Sequence, residues 1–308
     1  MAKTLIAVVG PTAIGKTALS IKLANHYNTE IVSADSRQFY KEMTIGTAVP
    51  SKEELSVAKH HFIQNLSVKE DYSVGDFERD GLALLDKLFK VQDIVILVGG
   101  SGLYVDAIVK GLNHFPDVDE SIRLKLNDSL KNEGLEPLQN QLKTLDPKYF
   151  EKVDIHNPHR VIRALEICIG TQKTYTSFLE QDKEERPFNT ITVGLEADRT
   201  KIYERINDRV DIMMAEGLLK EVKSLEPYKN YNALNTVGYK ELFNYLDDEW
   251  SLEFAISEIK KNTRRFAKRQ LTWFKKNSDT LWFNYKTAEQ TIIKVIDNKM
   301  QSLSLIHI

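Results

Sequence analysis

Val8-Val9-Gly10-Pro11-Thr12-Ala13-Ile14-Gly15-Lys16-Thr17 decides the fold of this chain. It follows the apolar run Leu5-Ile6-Ala7-Val8-Val9 and precedes Ala18-Leu19-Ser20-Ile21-Lys22-Leu23-Ala24, which has helical apolar spacing. A strand, a Gly-rich loop and a helix start are the setting in which a G-x-x-x-x-G-K-[ST] match carries meaning. Gly10 and Gly15 let the backbone curl so that its N–H groups point inward, and the helix beginning near Lys16 adds its positive dipole end. Lys16 offers a point charge to phosphate oxygens, and the Thr17 hydroxyl can ligate Mg²⁺. A Gly-rich turn without a ligand is the bland alternative, and the full match in its proper setting weighs against it. A diphosphate or triphosphate is therefore expected on Gly10, Pro11, Thr12, Ala13, Ile14, Gly15, Lys16 and Thr17. The loop alone does not choose between them.

The rest of the composition bounds the class. The 308 residues suffice for one large or two ordinary domains, and 42% apolar with 28% charged residues fits a soluble globular chain. The single cysteine, Cys168, excludes a disulfide framework, and its apolar neighbours mark it as a buried thiol. No apolar run approaches the ~20 residues of a membrane span, and the N-terminal run reads as a core strand and not as a signal peptide. A cytoplasmic protein is expected. The net charge of -2 argues against a nucleic-acid binder, but its distribution does not. Eight basic residues lie between Glu258 and Lys276 against Glu258 as the one acid, leaving the remainder of the chain at -9. Such a stripe on an acidic body is a polyanion footprint or a solvated face.

Further along, Glu30-Ile31-Val32-Ser33-Ala34 reads as a strand that delivers Asp35 to the sheet edge where ligands of open α/β sheets bind. Asp35 there is either a base beside the phosphate loop or the cap of a following helix. His60 and His61, being adjacent, point apart and read as structural or substrate-lining residues. Ser73–Lys90 is an amphipathic crossover helix. Asp93–Val98 is a third strand ending in Gly99-Gly100-Ser101 where many P-loop hydrolases carry a Mg²⁺-holding Asp. From about Phe115 three helical segments follow without a strand, until Thr190–Leu195 restores one. The expected architecture is α/β, a P-loop NTPase-like parallel sheet flanked by helices in residues 1–114 and 189–308, with an inserted all-helical subdomain over 115–188. In the insert, Arg160 and Arg163 share a helix face. Arg205 and Arg209 share another after the returning strand, where an Arg can close over phosphates. The segment Ser251–Asn277 is a long helix expected to bury Phe254, Ile259, Phe266, Trp273 and Phe274. Trp282-Phe283 reads as a last strand, and the tail from Ser302 shows no usable pattern.

Read from residues alone, these features leave open a small-molecule or nucleoside kinase, an isopentenyltransferase acting on free AMP, and an RNA-binding protein without catalysis. The motifs together go further. Gly10–Thr17, Ser33–Tyr40, Met43-Thr44-Ile45-Gly46-Thr47-Ala48, Val98–Tyr104, Asn157-Pro158-His159-Arg160, Val237-Gly238-Tyr239-Lys240 and Ala267-Lys268-Arg269-Gln270, in this order, resemble the bacterial tRNA dimethylallyltransferase family over about residues 3–285.

The resemblance implies transfer of a dimethylallyl group from its diphosphate to N6 of adenosine 37 in tRNA. It implies a catalytic set of Asp35 as base, Lys16, Thr17 with Mg²⁺, Arg209 on the departing pyrophosphate, and Ser101 where the family usually has Thr. It places tRNA against Asp35, Ser36, Arg37, Gln38 and Ser101, against Arg123, His159, Arg160, Val161, Ile162 and Arg163 of the insert, and against Arg264, Arg265, Lys268 and Arg269 of the basic helix. Val49 stands where the family carries Lys after Gly-Thr-Ala, a departure at a position suited to a phosphate or RNA contact. The partners expected are tRNA and dimethylallyl diphosphate, with no membrane, and a monomeric enzyme.

Overall fold

The computed structural model describes residues 3–181 and 183–306. Strand β1 (Thr4–Val9) is buried at every position, as a parallel strand covered on both faces must be. The phosphate loop leads from it into α1 (Lys16–Tyr27), and β2 (Ile31–Ser33) follows. Next come α2 (Lys52–Val57), the two-residue strand β3 (His60–His61), α3 (Val74–Leu88), β4 (Ile94–Val98) and α4 (Gly102–Lys110). Both α2 and α3 open on a serine capping box, Ser51 with Glu54 and Ser73 with Asp76, which fixes where each helix starts.

The chain then forms a compact helical unit over residues 111–185, made of α5 (Glu120–Glu133), α6 (Glu136–Leu145), α7 (Pro147–Phe150), α8 (Pro158–Thr171) and α9 (Tyr175–Leu179). It contains no strand among the described residues. Its limits fall a few residues earlier than the 115–188 expected from sequence. At the far end the reason is Arg186, whose guanidinium pairs with Glu78 of α3 and donates to the Ala107 and Ile108 carbonyls of α4. That residue is therefore tied to the sheet-bearing unit.

The sheet-bearing unit resumes with β5 (Asn189–Glu196), α10 (Arg199–Ala215), α11 (Leu218–Ser224), α12 (Tyr239–Leu246), α13 (Leu252–Phe274), β6 (Leu281–Asn284) and α14 (Glu289–Ile306). The six strands form one parallel sheet in the order β3-β2-β4-β1-β5-β6. Alternation along β1 serves two cores. Leu5, Ala7 and Val9 pack with Phe39, Phe77, Leu97 and Tyr239, while Ile6 and Val8 pack with Leu23, Ile96, Ile191 and Ile206. The register aligns the carboxyl ends, with Val8 opposite both Val98 and Val193, and Ser33 opposite Val98. Gly99 leaves β4 so close to β2 that a Cβ on it would lie 2.7 Å from the Ala34 carbonyl oxygen.

Two sequence expectations change here. Phe254, Phe266 and Trp273 are not on the buried side of α13, being 49%, 38% and 36% exposed. The buried stripe is Ala255, Ile259, Ala267, Gln270 and Phe274, a narrower seam set by close packing against α10 and α12. Helix α14 was not anticipated. Its inward residues Ile292 and Ile296 stand four apart, and Ile293, Met300 and Leu303 pack beside them, but Lys, Asp and Asn break up the pattern.

The helical unit has its own core of Leu126, Leu138, Leu142, Val161, Ile162 and Leu165, and one buried carboxylate organises its turns. Asp146, 1% exposed, accepts the Tyr149 N–H at 3.0 Å, the Thr176 N–H at 2.7 Å and the Thr176 hydroxyl at 2.8 Å. Asp146→Ala leaves those donors buried and unpaired and is expected to lower stability by roughly 3 kcal/mol. Urea unfolding checks this, and a loss below about 1 kcal/mol would show that Asp146 does not organise the unit.

Candidate active site

The carboxyl edge of the sheet gathers three loops. The Gly99 N–H donates to the Val8 carbonyl and the Ala34 N–H to the Val98 carbonyl, so the pairing extends to the points where β4 and β2 exit. The phosphate loop, Asp35 and Gly99-Gly100-Ser101 are neighbours for that reason. Within the loop Gly10 and Gly15 have φ of 142° and 109°, and Ala13 adopts 63°. A Cβ on Gly10 would also stand 2.6 Å from the Leu195 carbonyl oxygen, so both its conformation and its neighbour require glycine. Ala13 tolerates the left-handed region because Arg205 of α10 fixes its carbonyl, Nε donating at 2.7 Å.

Lys16, Asp35 and Arg209 form the charged centre. All three line one cavity of about 500 Å³, together with Thr12 to Thr17. The Lys16 ammonium donates to the Pro11 carbonyl at 2.9 Å. Burial pulls its pKa down to about 8, a drop that the Asp35 charge opposes and the Arg209 charge deepens. Burial pushes the Asp35 carboxyl above the usual carboxylate range, against the pull of the Arg37 N–H and the charges of Lys16, Arg37 and Arg209. Arg209 is lowered first by burial and then by Arg205 beside it. No helix follows Asp35. Residues 36–39 form a turn in which Oδ1 of Asp35 accepts the Arg37 N–H at 3.2 Å, so the helix-cap reading does not hold.

A second cavity of about 590 Å³ meets the first at Thr12, Asp35 and Arg209. It is bounded by Ser36, Arg37, Ser101, Met213, Phe266, Arg269 and Trp273 among others. The Ser101 and Ser36 hydroxyls are 3.2 Å apart, and Ser101 Oγ also accepts the Ser36 N–H at 3.3 Å. Arg37 faces this cavity but spends Nη1 on the Asn232 and Ala233 carbonyls. Gln38 turns toward the first cavity and donates to the Thr47 and Ala48 carbonyls. Val49 also lines the first cavity.

Two residues without an anticipated role hold this frame. Glu221 of α11 accepts the N–H groups of Thr44, Ile45 and Gly46 at 2.8–3.0 Å, and the Tyr239 hydroxyl at 2.6 Å. It thereby pins the Met43–Ala48 loop that walls both cavities. Gln270 of α13 joins the phosphate loop to Gly100, accepting the Thr12 N–H and donating to the Gly100 carbonyl. A lone Glu on a surface-patterned helix gives no sequence signal. Gln270 gave a faint one, an uncharged residue spaced with Ala267 and Phe274 inside a basic run.

The basic stretch divides by exposure. Arg265, Lys268 and Arg269 are exposed, with Arg269 over the Phe266 ring. Arg264 is half-buried, donates from Nη1 to Asn207 at 2.8 Å and lies over the Tyr203 ring. Lys260, Lys261 and Lys275 pair with Asp211, Glu258 and Glu196. In the helical unit His159, Arg160 and Arg123 are exposed, and Arg163 pairs with Glu166 over the Phe115 ring. Val161 and Ile162 are 0% and 3% exposed. They belong to the unit's core, and their side chains offer tRNA no surface, because the helical period carries positions 161 and 162 inward while 159, 160 and 163 stay out.

Thr17 suits Mg²⁺. Thr17 lies in the first turn of α1 and lines the cavity, and one neutral protein oxygen completed by phosphate and water is an ordinary Mg²⁺ environment. No cluster of three or more His, Cys, Asp or Glu side chains able to hold a metal occurs among the described residues. His60 donates from Nδ1 to the Ala58 carbonyl, and His61 contacts Glu30 at 2.5 Å.

A parallel sheet, a phosphate-cradling loop at its carboxyl edge and a half-buried carboxylate in place of a strand-end acid define a group transferase of the P-loop class. A family model described as IPP transferase matches residues 38–277. The tRNA dimethylallyltransferase of Flavobacterium johnsoniae is 59% identical over 306 residues, covering 97% of this chain and 99% of that protein. The tRNA isopentenylpyrophosphate transferase of Bacillus halodurans superposes with a TM-score of 0.75 at 36% identity, covering 99% of both chains. A eukaryotic dimethylallyltransferase, solved acting on tRNA, gives 0.83 at 26% identity over 98% of this chain and 80% of its own. The chain belongs to the IPP transferase family. No described helix is long and apolar enough to cross a membrane.

The lowered Lys16 pKa sets a pH dependence. An amine attracts phosphate as a cation only while protonated, so if Lys16 contacts the anion, pyrophosphate affinity is expected to be full below pH 8 and to fall above it, by up to about tenfold per pH unit. Lys16→Arg, whose cation does not titrate there, should remove that fall. Calorimetric titration from about pH 7 to about pH 10 reads it, and a flat wild-type profile would place Lys16 outside the phosphate contacts.

Proposed function

We propose that this protein transfers the dimethylallyl group of dimethylallyl diphosphate to N6 of adenosine 37 in tRNA, releasing pyrophosphate. The observation that carries the reading is the place of Asp35, at the junction of a cavity lined by the phosphate loop and a second one lined by hydroxyl, aromatic and basic residues. A proton acceptor between a leaving-group site and an acceptor site is what nucleophilic substitution by a weakly basic amine requires.

The diphosphate sits on the loop amides, Lys16 and Arg209. The target adenine leaves the anticodon-loop stack and enters the second cavity, with Ser101 and Ser36 offering hydroxyls to it. The N6 nitrogen forms a bond to the allylic carbon as the carbon–oxygen bond to the diphosphate breaks. The N6 proton passes to the Asp35 carboxylate, whose raised pKa makes it a better acceptor. Charge that develops on the departing oxygen falls on Lys16, Arg209 and the α1 N-terminus. Mg²⁺, when bound through Thr17, neutralises pyrophosphate oxygens. An exocyclic amine is a poor nucleophile, so alignment and leaving-group stabilisation supply most of the rate. The tRNA loop and stem are held by Arg37, Arg265, Lys268 and Arg269 of the sheet-bearing unit and by Arg123, His159, Arg160 and Arg163 of the helical unit. The enzyme acts as a monomer in the cytoplasm.

Labelled dimethylallyl diphosphate offered with tRNA, AMP or adenosine tests the reading. Label should reach tRNA alone; ATP consumed in step with product, or no label on RNA, would end it. Asp35→Ala should keep tRNA binding and lose at least ~10²-fold in turnover, and undiminished turnover would remove Asp35 as the base. Arg265→Ala/Lys268→Ala/Arg269→Ala should flatten the log–log salt dependence of tRNA binding by roughly two units. An unchanged slope would take those three side chains out of the footprint.

A further inference from the structure

Three large apolar side chains that the fold leaves exposed, Leu103, Phe266 and Trp273, all line the second cavity. They come from two helices, Leu103 from α4 and the other two from α13. Ile206, Val210 and Ile259 continue the apolar lining. Trp273 is held in place, since its Nε1 donates to Asp106 at 2.9 Å and a Cβ on Gly102 would collide with its ring. The one donor of the indole is thus spent, and what the ring has left to offer is apolar surface. Exposed apolar side chains gathered around one concave surface mark a place where an apolar group binds.

A flipped purine accounts for part of this cavity. Its edge needs hydrogen-bonding partners, which Ser36 and Ser101 supply beside Asp35. Leu103, Ile206, Val210 and Ile259 add nothing to such recognition; they match branched hydrocarbon. The cavity is also continuous with the one that holds the phosphate loop. Thr12, Thr47, Ala48 and Met213 line both, together with Asp35 and Arg209. The first three are small, and Met213 is an unbranched thioether that can change rotamer. A diphosphate on the loop therefore has its carbon chain beside a passage with an apolar space of about 590 Å³ beyond it. A tail of one isoprene unit ends near Asp35 and leaves that space to the acceptor. A tail of two or more units runs on into it.

We propose that this protein has a second class of ligand, allylic diphosphates at least one isoprene unit longer than the donor. They bind with the diphosphate on the phosphate loop and the tail along Leu103, Phe266 and Trp273, and so shut out donor and tRNA together. The inference rests on the reading of the loop as the seat of a prenyl diphosphate and goes beyond it in the ligand and in the outcome. No bond forms in this complex, because the tail fills the place of the acceptor amine. Donor length is then limited by what a long tail displaces and not by a wall that stops it.

Calorimetric titration of the full chain with Mg²⁺ present compares inorganic pyrophosphate, dimethylallyl diphosphate and geranyl diphosphate. Geranyl diphosphate, one isoprene unit longer than the donor, should bind about tenfold or more tighter than dimethylallyl diphosphate, because the added unit leaves water. It should also displace a labelled anticodon stem-loop, which dimethylallyl diphosphate should not. Phe266→Ala should lower the ratio of geranyl to dimethylallyl affinity by roughly fivefold, with pyrophosphate reporting that the loop is intact. If Phe266→Ala does not fold, Leu103→Ala on the other helix carries the same test. Geranyl binding no tighter than dimethylallyl, a stem-loop left in place, a ratio unmoved in a folded variant, or geranyl label found on tRNA would overturn the proposal. The binding arms do not read prenyl transfer. Tight geranyl binding that displaces the stem-loop, with no dimethylallyl label ever reaching tRNA, would keep the long-chain ligand while the proposed reaction failed. Dimethylallyl label on tRNA with no gain in affinity for the longer tail would do the reverse.

Discussion

The alignment of strand ends across β2, β4, β1 and β5 is the constraint from which the site follows. Parallel strands buried on both faces can place polar chemistry only at their ends, and here Ser33, Val98, Val8 and Val193 share a level. Each exit must then turn at once and beside its neighbour. Gly99 against Ala34 and Gly10 against Leu195 show how little space is left, and a side chain at either would separate loops that have to work together. The same crowding puts Asp35 next to the phosphate loop without any contact in sequence between them.

Much of this was legible because it is local. A fully apolar six-residue run, a Gly-rich turn and a helix start are written in consecutive residues, and so is the approach of Asp35 to the sheet edge. The positions misjudged were settled by distant partners. Phe266 and Trp273 look like core residues on a helical wheel, but Gln270 and Ala267 hold the inward seam, because only there does α13 approach the phosphate loop and Gly100. Arg264 is steadied by Asn207, 57 residues earlier, a partner that the basic run itself does not announce. The family resemblance places Val161 and Ile162 with His159, Arg160 and Arg163 against tRNA, and helical geometry turns these two side chains into the core instead. Glu221 had no local sign at all, since its ligands are the backbone of a loop about 175 residues earlier.

The loops around the chemistry are held by hydrogen bonds to backbone and hydroxyl groups, with Glu221, Arg37 and Arg205 spending their charges on such neutral partners and not on opposite charges. Gln270, Ser36, Ser101 and Gln38 fix loops through amides and hydroxyls. Had salt bridges done this work, Lys16 and Arg209 would have been drawn toward fixed anions and away from the phosphate. Arg205 marks the boundary, since it spends its donor on the Ala13 carbonyl and its charge acts on Arg209 at one remove.

That division explains why the central charges can be so poorly satisfied. Lys16, Arg209 and Asp35 each lose hydration, and the two cations also repel one another through the same medium. A diphosphate bound as proposed would reverse the balance, because its negative charge would favour the protonated form of Lys16 and push the Asp35 carboxyl further toward accepting a proton. On the proposed reading the substrate would thus strengthen both the cation that takes the leaving group and the base that takes the proton. In the proposed reaction the breaking carbon–oxygen bond would leave its electron pair on the diphosphate oxygen, within reach of the two cations, while a proton reaching Asp35 would remove one negative charge from a cavity that Glu54 and Glu216 also line. The two transfers of the proposed reaction would favour each other because they share one weakly screened space, where the charge each one shifts acts on the other.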